Sequence, residues 1–495
     1  MNKKYIIAID QSTSASKVML FDKETKLIHR VSTPHQQYYP ESGFVEHDAD
    51  EVFDNVKNGL LKVLRDTNTQ ESEIAGIAIT NQRETTLVWD KTTGKPVSNA
   101  AVWQCQRGTS YCNELKEHGY TEKIREKTGL IIDPYFSASK LRWIMQNTEG
   151  LTGKAQKGEL LLGTMDSWLL YKLTGGKVHA TDYSNACRTM LFNIHTLEWD
   201  NELIELFGLQ RNMFPKVKFS DEIFGNTCTD VVFDNPIPIA GLLGDSHAAL
   251  FGQNCFEPGM AKSTYGTGSS MMMNIGTEPT PAPEGLVTSI GFGRNKTIDY
   301  VFEGNIHCTG DTLNWLKNEL QLFSDSSEIE PLAKSVENNN GVYLVPAFVG
   351  LGAPYWDNEA RACISGMPRN TTKAHILRAA LESIAFQVKD LVSLMEEKGN
   401  IPLKELRVDG GPTRNDFLMQ FQADILNRTV AVSDIEEISA LGTTFMAGLA
   451  TGFWKDLDEI KSLRKKGKTF LPEMQQDKND TLYKGWQKAV ERARL

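Results

Sequence analysis

Nowhere in the 495 residues does an apolar run approach the about 18 residues that a membrane-spanning helix needs. The first such run, Tyr5 to Ile9, stops at Asp10 and is too short for an export signal. The sequence therefore predicts a soluble protein of the cytoplasm, with no membrane insertion. Cysteine is scarce and unpatterned: seven residues, at 105, 112, 187, 228, 255, 308 and 363, include no C-x-x-C pair and no histidine at metal-ligand spacing. That argues against a disulfide scaffold or zinc ribbon and reads each thiol as a small buried apolar side chain in a reducing compartment. Positive charge is not in excess. The formal net charge is −10, and the longest basic block, Arg464-Lys465-Lys466, reads as a solvated loop, so nucleic acid is not an expected partner. A Walker-type phosphate loop is missing as well: Gly467-Lys468-Thr469 ends like one, but Ser462 stands where its leading glycine belongs.

What is present is an ordinary globular composition, 40% hydrophobic and 23% charged, in a chain longer than one core usually organises. Two domains are expected, 1–252 and 253–495, with a cleft between them. Tyr5 to Ile9, a hydroxyl-rich turn from Gln11 to Ser16, and Val18 to Phe21 predict a hairpin. A helix near 50–66 precedes a second strand pair, Ile74 to Thr80 and Thr86 to Asp90. Leu377, Leu381, Ile384, Val388, Leu391 and Met395 fall at helical spacing, with Gly399 expected just past the helix end. A strand at Leu406 to Val408 and a helix from about Arg414 follow. Strands alternating with helices indicate an α/β fold. Apolar strands ending in an acid at Asp10, Asp245 and Asp409 hint weakly at an internal duplication.

Three turns rich in glycine or hydroxyls could supply the amides and hydroxyls that a nucleotide's phosphates require: Asp10 to Lys17, Tyr265 to Ser269, and Asp409 to Asn415. Each alone is also ordinary turn chemistry. Phosphoryl transfer to a hydroxyl further needs an oxygen ligand for Mg²⁺ and a carboxylate to orient and deprotonate the acceptor. Asp10 and Asp245 suit these roles, although an acid at a strand end can equally cap a turn. Asn81-Gln82-Arg83-Glu84-Thr85 sets a cation beside an anion after a strand, where adjacent hydroxyls of a polyol could bridge them or where a plain surface ion pair could form.

Longer motifs sharpen this reading. Asn81 to Thr86, Asn99 to Gln104, Asp133 to Ser137, Ala180 to Ala186, Arg188 to Asn193, Gly350 to Asp357 and Arg378 to Phe386 together resemble the FGGY carbohydrate kinases, and among them the bacterial branch that phosphorylates glycerol, over nearly the whole chain. The resemblance implies two actin/hexokinase-like (ribonuclease H-like) domains, each built on a mixed five-stranded sheet, with ATP and acceptor meeting in the cleft. It implies Asp245 as the catalytic base, Asp10 as the metal-associated carboxylate, and Thr13, with Ser14 and Lys17 beside it, at the γ-phosphate. Thr267, Gly310, Asn314, Gly411 and Asn415 would hold the nucleotide. Arg83, Glu84, Trp103, Tyr135, Ser246 and Ser270 would line the polyol site. The cofactors implied are ATP and Mg²⁺, and the assembly a homodimer or homotetramer.

The sequence departs from the family pattern at Gly244-Asp245-Ser246-His247, where the family carries Gly-Asp-Gln-Gln, and at Ser270, where it carries phenylalanine. Smaller residues there predict a wider pocket, which keeps a larger polyol or ketose (erythritol, xylitol, a ketopentose) open beside glycerol. Ser12, Ala15, Lys17 and Asn314 are milder departures near the nucleotide. A catalytically silent sugar sensor is the remaining alternative, opposed by the presence of both Asp10 and Asp245. Cys228 to Asn235 lacks the family's features for control by a sugar bisphosphate or by phosphorylation, so neither is expected.

Overall fold

The computed structural model describes residues 3–464 and 467–495, so Lys465 and Lys466 of the basic triplet lie outside the described residues. Two large mixed sheets organise the chain. The first runs in the order Ile223–Asn226, Pro238–Gly244, Ile74–Asn81, Tyr5–Gln11, Ala15–Asp22, Leu27–Pro34. The second runs Val287–Arg294, Thr297–Ile306, Ser269–Gly276, Met260–Tyr265, Glu405–Asp409, Thr429–Val432, Thr469–Phe470. They have six and seven strands, against the five expected for each, because additional edge strands, such as Ile223–Asn226 and Thr469–Phe470, extend them.

Both sheets follow one plan. A strand (Tyr5–Gln11 or Met260–Tyr265) pairs antiparallel with the strand that follows it and parallel with a later one (Ile74–Asn81 or Glu405–Asp409). The counterpart of Tyr5–Gln11 is therefore Met260–Tyr265, and the acid-ended segments that hinted at duplication occupy non-equivalent places. Topology repeats where side chains do not. The central strands are buried on both faces, which explains why Ile6 to Ile9 and Ile77 to Ile79 read as continuous apolar runs rather than alternating ones.

Three local expectations need correction. Ile74–Asn81 and Thr86–Asp90 do not pair with each other; the second joins a separate sheet beside Leu160–Thr164, so the chain changes sheets across residues 82–85. The long helix, Lys373–Gly399, includes Gly399, and Asn400 takes the left-handed capping conformation at φ 50°. Of the cysteines, Cys228 and Cys363 are only half-buried, while the other five are buried.

The two sheets are knitted together by the helix Ile438–Thr451. It comes from the second half of the chain yet packs against Asp245–Gly252 and the first sheet, and Thr443 Oγ1 donates to the carbonyls of Ile79 at 3.0 Å and Gly241 at 2.8 Å. The approach is close enough that a Cβ on Gly442 would lie 1.8 Å from the Ala248 carbonyl oxygen, so only glycine fits. Asp10 and Gly244 lie at the carboxyl ends of the two strands that flank Ile74–Asn81, with Asp10 level with Thr80 and Gly244 level with Asn81. Thr264 lies level with Asp409 at the corresponding ends in the second sheet. Carboxyl ends of parallel strands are where open α/β sheets bind ligands.

Candidate active site

Where the chain leaves Ile74–Asn81 it makes a tight turn: the Thr85 amide donates to the Arg83 carbonyl at 2.7 Å, and Glu84 sits at φ 59°, a strained conformation for a residue with a Cβ. The turn is braced from outside. Asn81 Nδ2 donates to Asn185 Oδ1 at 2.9 Å, and Asp182 holds residues 184–185 through their backbone amides. Ser184 Oγ accepts from the Gly244 amide at 3.0 Å, so the segment Ala180 to Ala186 supports the loop of Arg83 and the start of the Asp245 helix together.

Arg83 and Glu84 are not a surface ion pair. Arg83 forks onto Glu303 with contacts of 3.1 and 2.8 Å, and Arg188 bonds Glu84 at 2.6 Å and Glu303 at 2.8 Å. All four side chains are at most 5% exposed. The two guanidiniums beside Glu303 hold its carboxyl well below the usual range despite burial, whereas burial pushes the Glu84 carboxyl up against the pull of the same arginines. Arg83 Nε also reaches Asp245 Oδ1 at 3.3 Å, and the Ser246 amide donates to that oxygen at 2.6 Å. The Asp245 side chain is 41% exposed, so it is the one carboxylate of this group open to a ligand. Trp103 and Tyr135 stand edge to face at 5.6 Å nearby. The backbone carrying Tyr135 is held by Lys140, whose buried ammonium donates to the carbonyls of Pro134, Tyr135 and Phe136 at 2.8, 2.6 and 3.0 Å. Ser270 is half-buried, and its Oγ is buried without a hydrogen-bond partner.

At the first hairpin, Asp10 is 7% exposed and burial pushes its carboxyl up to about 6, with Lys17 at 3.4 Å pulling the other way. Lys17 also bonds Glu437 at 2.9 Å, and Arg30 reaches the same carboxylate at 2.6 Å, which ties the first hairpin to the second half of the chain. Thr13 is half-buried and Ser14 exposed. Across the cleft, the Gly310 amide donates to the Gly266 carbonyl at 2.9 Å and the Asp311 amide to that of Thr267 at 3.1 Å. Gly410, at φ 102°, lies so close to Tyr265 that a Cβ would meet the Tyr265 carbonyl oxygen at 2.0 Å. The Tyr265 and Asp409 turns are thereby brought together with Gly310. Gly266, Thr267 and Gly411 are exposed, and a Cβ on Gly411 would meet nothing within 4 Å. Asn314 is exposed on its helix, and Asn415 caps the helix Asp416–Leu426 by accepting from the Leu418 amide at 2.9 Å.

Sequence reasoning missed Glu303, Arg188, Lys140, Lys262 and Glu437. Lys262 and Glu303 carry a signal in retrospect: Lys262 is the one charge inside the strand Met260–Tyr265, and Glu303 directly follows the apolar run Tyr300 to Phe302 inside Thr297–Ile306. Such a charge is expensive unless partnered. Lys262 is fully buried, with Thr264 Oγ1 and the Ser270 carbonyl at 3.4 Å.

Known proteins match this chain along its length. The FGGY family of carbohydrate kinases matches through its N-terminal domain at residues 5–252 and its C-terminal domain at 261–451. A glycerol kinase of Bacillus subtilis (strain 168) is 50% identical over 489 residues, 99% of each chain. Glycerol kinase 1 of Thermotoga maritima is 53% identical over 487 residues, 98% of this chain and 99% of its own. The crystal structure of Plasmodium falciparum glycerol kinase with ADP superposes with a TM-score of 0.96 at 37% identity, covering 100% of this chain and 99% of that one.

Proposed function

This chain belongs to the FGGY family of carbohydrate kinases, and on that premise we propose that it transfers the terminal phosphoryl group of ATP to a hydroxyl of glycerol. Asp245 carries the proposal. Its carboxylate is 41% exposed and is oriented by Arg83, a member of the buried arginine cluster, and by the Ser246 amide. The acceptor lies against Arg83, Glu84, Trp103 and Tyr135, where paired donors and acceptors match vicinal hydroxyls, and Asp245 takes the proton of the attacking one. Amides and hydroxyls of Thr13, Ser14, Thr267, Gly310 and Gly411, with Asn314 and Asn415, hold the nucleotide, and Lys17 brings its charge to the phosphates.

Among the described residues no group of three or more His, Cys, Asp or Glu is gathered around a metal position. A Mg²⁺ that keeps most of its shell as water and phosphate oxygen needs only one or two carboxylates, which Asp10 fits, with Asp245 acting on it from the same end of the first sheet. When bound, the ion would neutralise charge on the phosphate oxygens. A domain boundary at 252/253, association into a homodimer or homotetramer and residence in the cytoplasm complete the proposal. Among the described residues no helix is long and apolar enough to cross a membrane.

One observation sets the larger acceptors behind glycerol: relatives named glycerol kinase match over the full chain. ADP release, measured with glycerol, erythritol, xylitol and the common ketopentoses in turn, tests the assignment. Glycerol should give the highest kcat/KM. No turnover with glycerol, or a clear preference for a longer acceptor, overturns it.

A further inference from the structure

Trp103 belongs by position to the acceptor wall, yet its indole N–H is directed elsewhere, donating to Thr13 Oγ1 at 3.0 Å. An indole nitrogen can only donate, so the Thr13 hydroxyl must accept there and its single proton is left for another partner. Thr13 is held from a second side, because His35 Nε2 lies 3.0 Å from the Thr13 carbonyl oxygen, which makes that nitrogen the protonated one. The same two residues close a longer circuit. The Trp103 amide donates to Thr85 Oγ1 at 3.1 Å, and Thr85 donates to Gln82 Oε1 at 3.1 Å. Gln82 Nε2 then reaches Gln11 Oε1 at 3.2 Å and His47 Nδ1 at 3.1 Å, and the His47 ring stands edge to face with His35 at 4.5 Å. Gln11, His35, His47, Gln82 and Thr85 are all buried. A circuit of donors and acceptors thus joins the loop that carries Arg83 and Glu84 to the first phosphate turn.

We propose that Trp103 is a positioning residue for phosphoryl transfer as well as a wall for the acceptor: by occupying a lone pair of Thr13 Oγ1, its indole N–H leaves the Thr13 proton to be donated to the terminal phosphate of ATP. Contact between the acceptor and the indole face then steadies the phosphate turn, so that the nucleotide is gripped most firmly when the acceptor is present. This rests on the proposed kinase function for its biological meaning, but its test does not depend on which acceptor is used.

The test is a double-mutant cycle on Trp103→Phe and Thr13→Val, read as the dissociation constants of ATP and of ADP with no acceptor added. Trp103→Phe keeps an aromatic wall and removes only the donor, and Thr13→Val keeps the shape and removes the hydroxyl. Each single variant should weaken ATP by about tenfold, the scale of one hydrogen bond to a charged group, and change ADP much less, because ADP lacks the terminal phosphate. The double variant should bind ATP no worse than Thr13→Val alone. Additive losses, or equal losses for ATP and ADP, overturn the proposal. Thr13→Ser, which keeps the hydroxyl, should restore the preference for ATP, and failure to do so counts equally against it. If the parent binds ATP and shows this pattern but does not phosphorylate glycerol, the function assigned above fails while the role of Trp103 stands.

Discussion

Arg83, Glu84, Arg188 and Glu303 are at most 5% exposed and bonded to one another across two sheets, whereas Gly266, Thr267 and Gly411 on the opposite wall of the cleft are exposed and offer backbone. The proposed acceptor wall is a desolvated lattice of charges in which each side chain is held by two others. Reorganising it on binding costs little because it is already in place, which suits recognition of a small, neutral, flexible polyol. The proposed nucleotide wall is made of turns, and its few side chains are lightly held; Asn415 serves as a helix cap. Open glycine turns admit phosphates by close backbone approach and release them again.

The largest effect should come where the acceptor wall meets the cleft. Asp245→Asn keeps size and some hydrogen bonding but cannot take a proton, so kcat should fall about 10²–10⁴-fold while the KM for the acceptor changes little. Steady-state kinetics of ADP release check this, and a near-normal kcat would move the base elsewhere. Next in size is the stability of the charged lattice. Glu303→Gln leaves two buried guanidiniums without their shared carboxylate, which should cost about 3–5 kcal/mol, seen as a lower denaturation midpoint. An unchanged midpoint would mean that the lattice is no more demanding than the open wall.

A smaller effect belongs to Asp10→Asn, which removes one negative charge from the proposed metal position and should raise the Mg²⁺ concentration needed for half-maximal activity. Loss of activity with the same Mg²⁺ dependence would assign Asp10 a structural role. The smallest effect is expected at Gly411→Ala. Because its Cβ enters open space, stability should change by no more than about 0.5 kcal/mol, while the KM for ATP rises as the methyl occupies nucleotide space. The same change at Gly268, whose Cβ would lie 2.4 Å from the Ile306 carbonyl oxygen, should destabilise the fold instead. Thermal melts and ATP titrations of the two variants separate an open wall from a packed one.

Much of this molecule was legible in the chain before folding. Alternation of apolar strands and helices is a local property, and so are hydroxyl-rich and glycine-rich turns, so the α/β class, the first hairpin, the three glycine- or hydroxyl-rich turns and the acids at Asp10 and Asp245 could all be read from short windows. The family motifs extended that reading to Trp103 and Tyr135. What no window contains is the pairing of distant charges. Arg83 with Glu303, Arg188 with Glu84 and Lys17 with Glu437 are 220, 104 and 420 residues apart. A carboxylate in a strand looks the same in sequence whether it will face water or two arginines, and only the packing of the second sheet against the first decides which. The same holds for the switch of sheets after Asn81 and for the indole of Trp103 turned onto Thr13. Local sequence sets which conformations each segment prefers, and the burial of one segment by another sets which polar groups must find each other, because a buried group without a partner is too costly to keep.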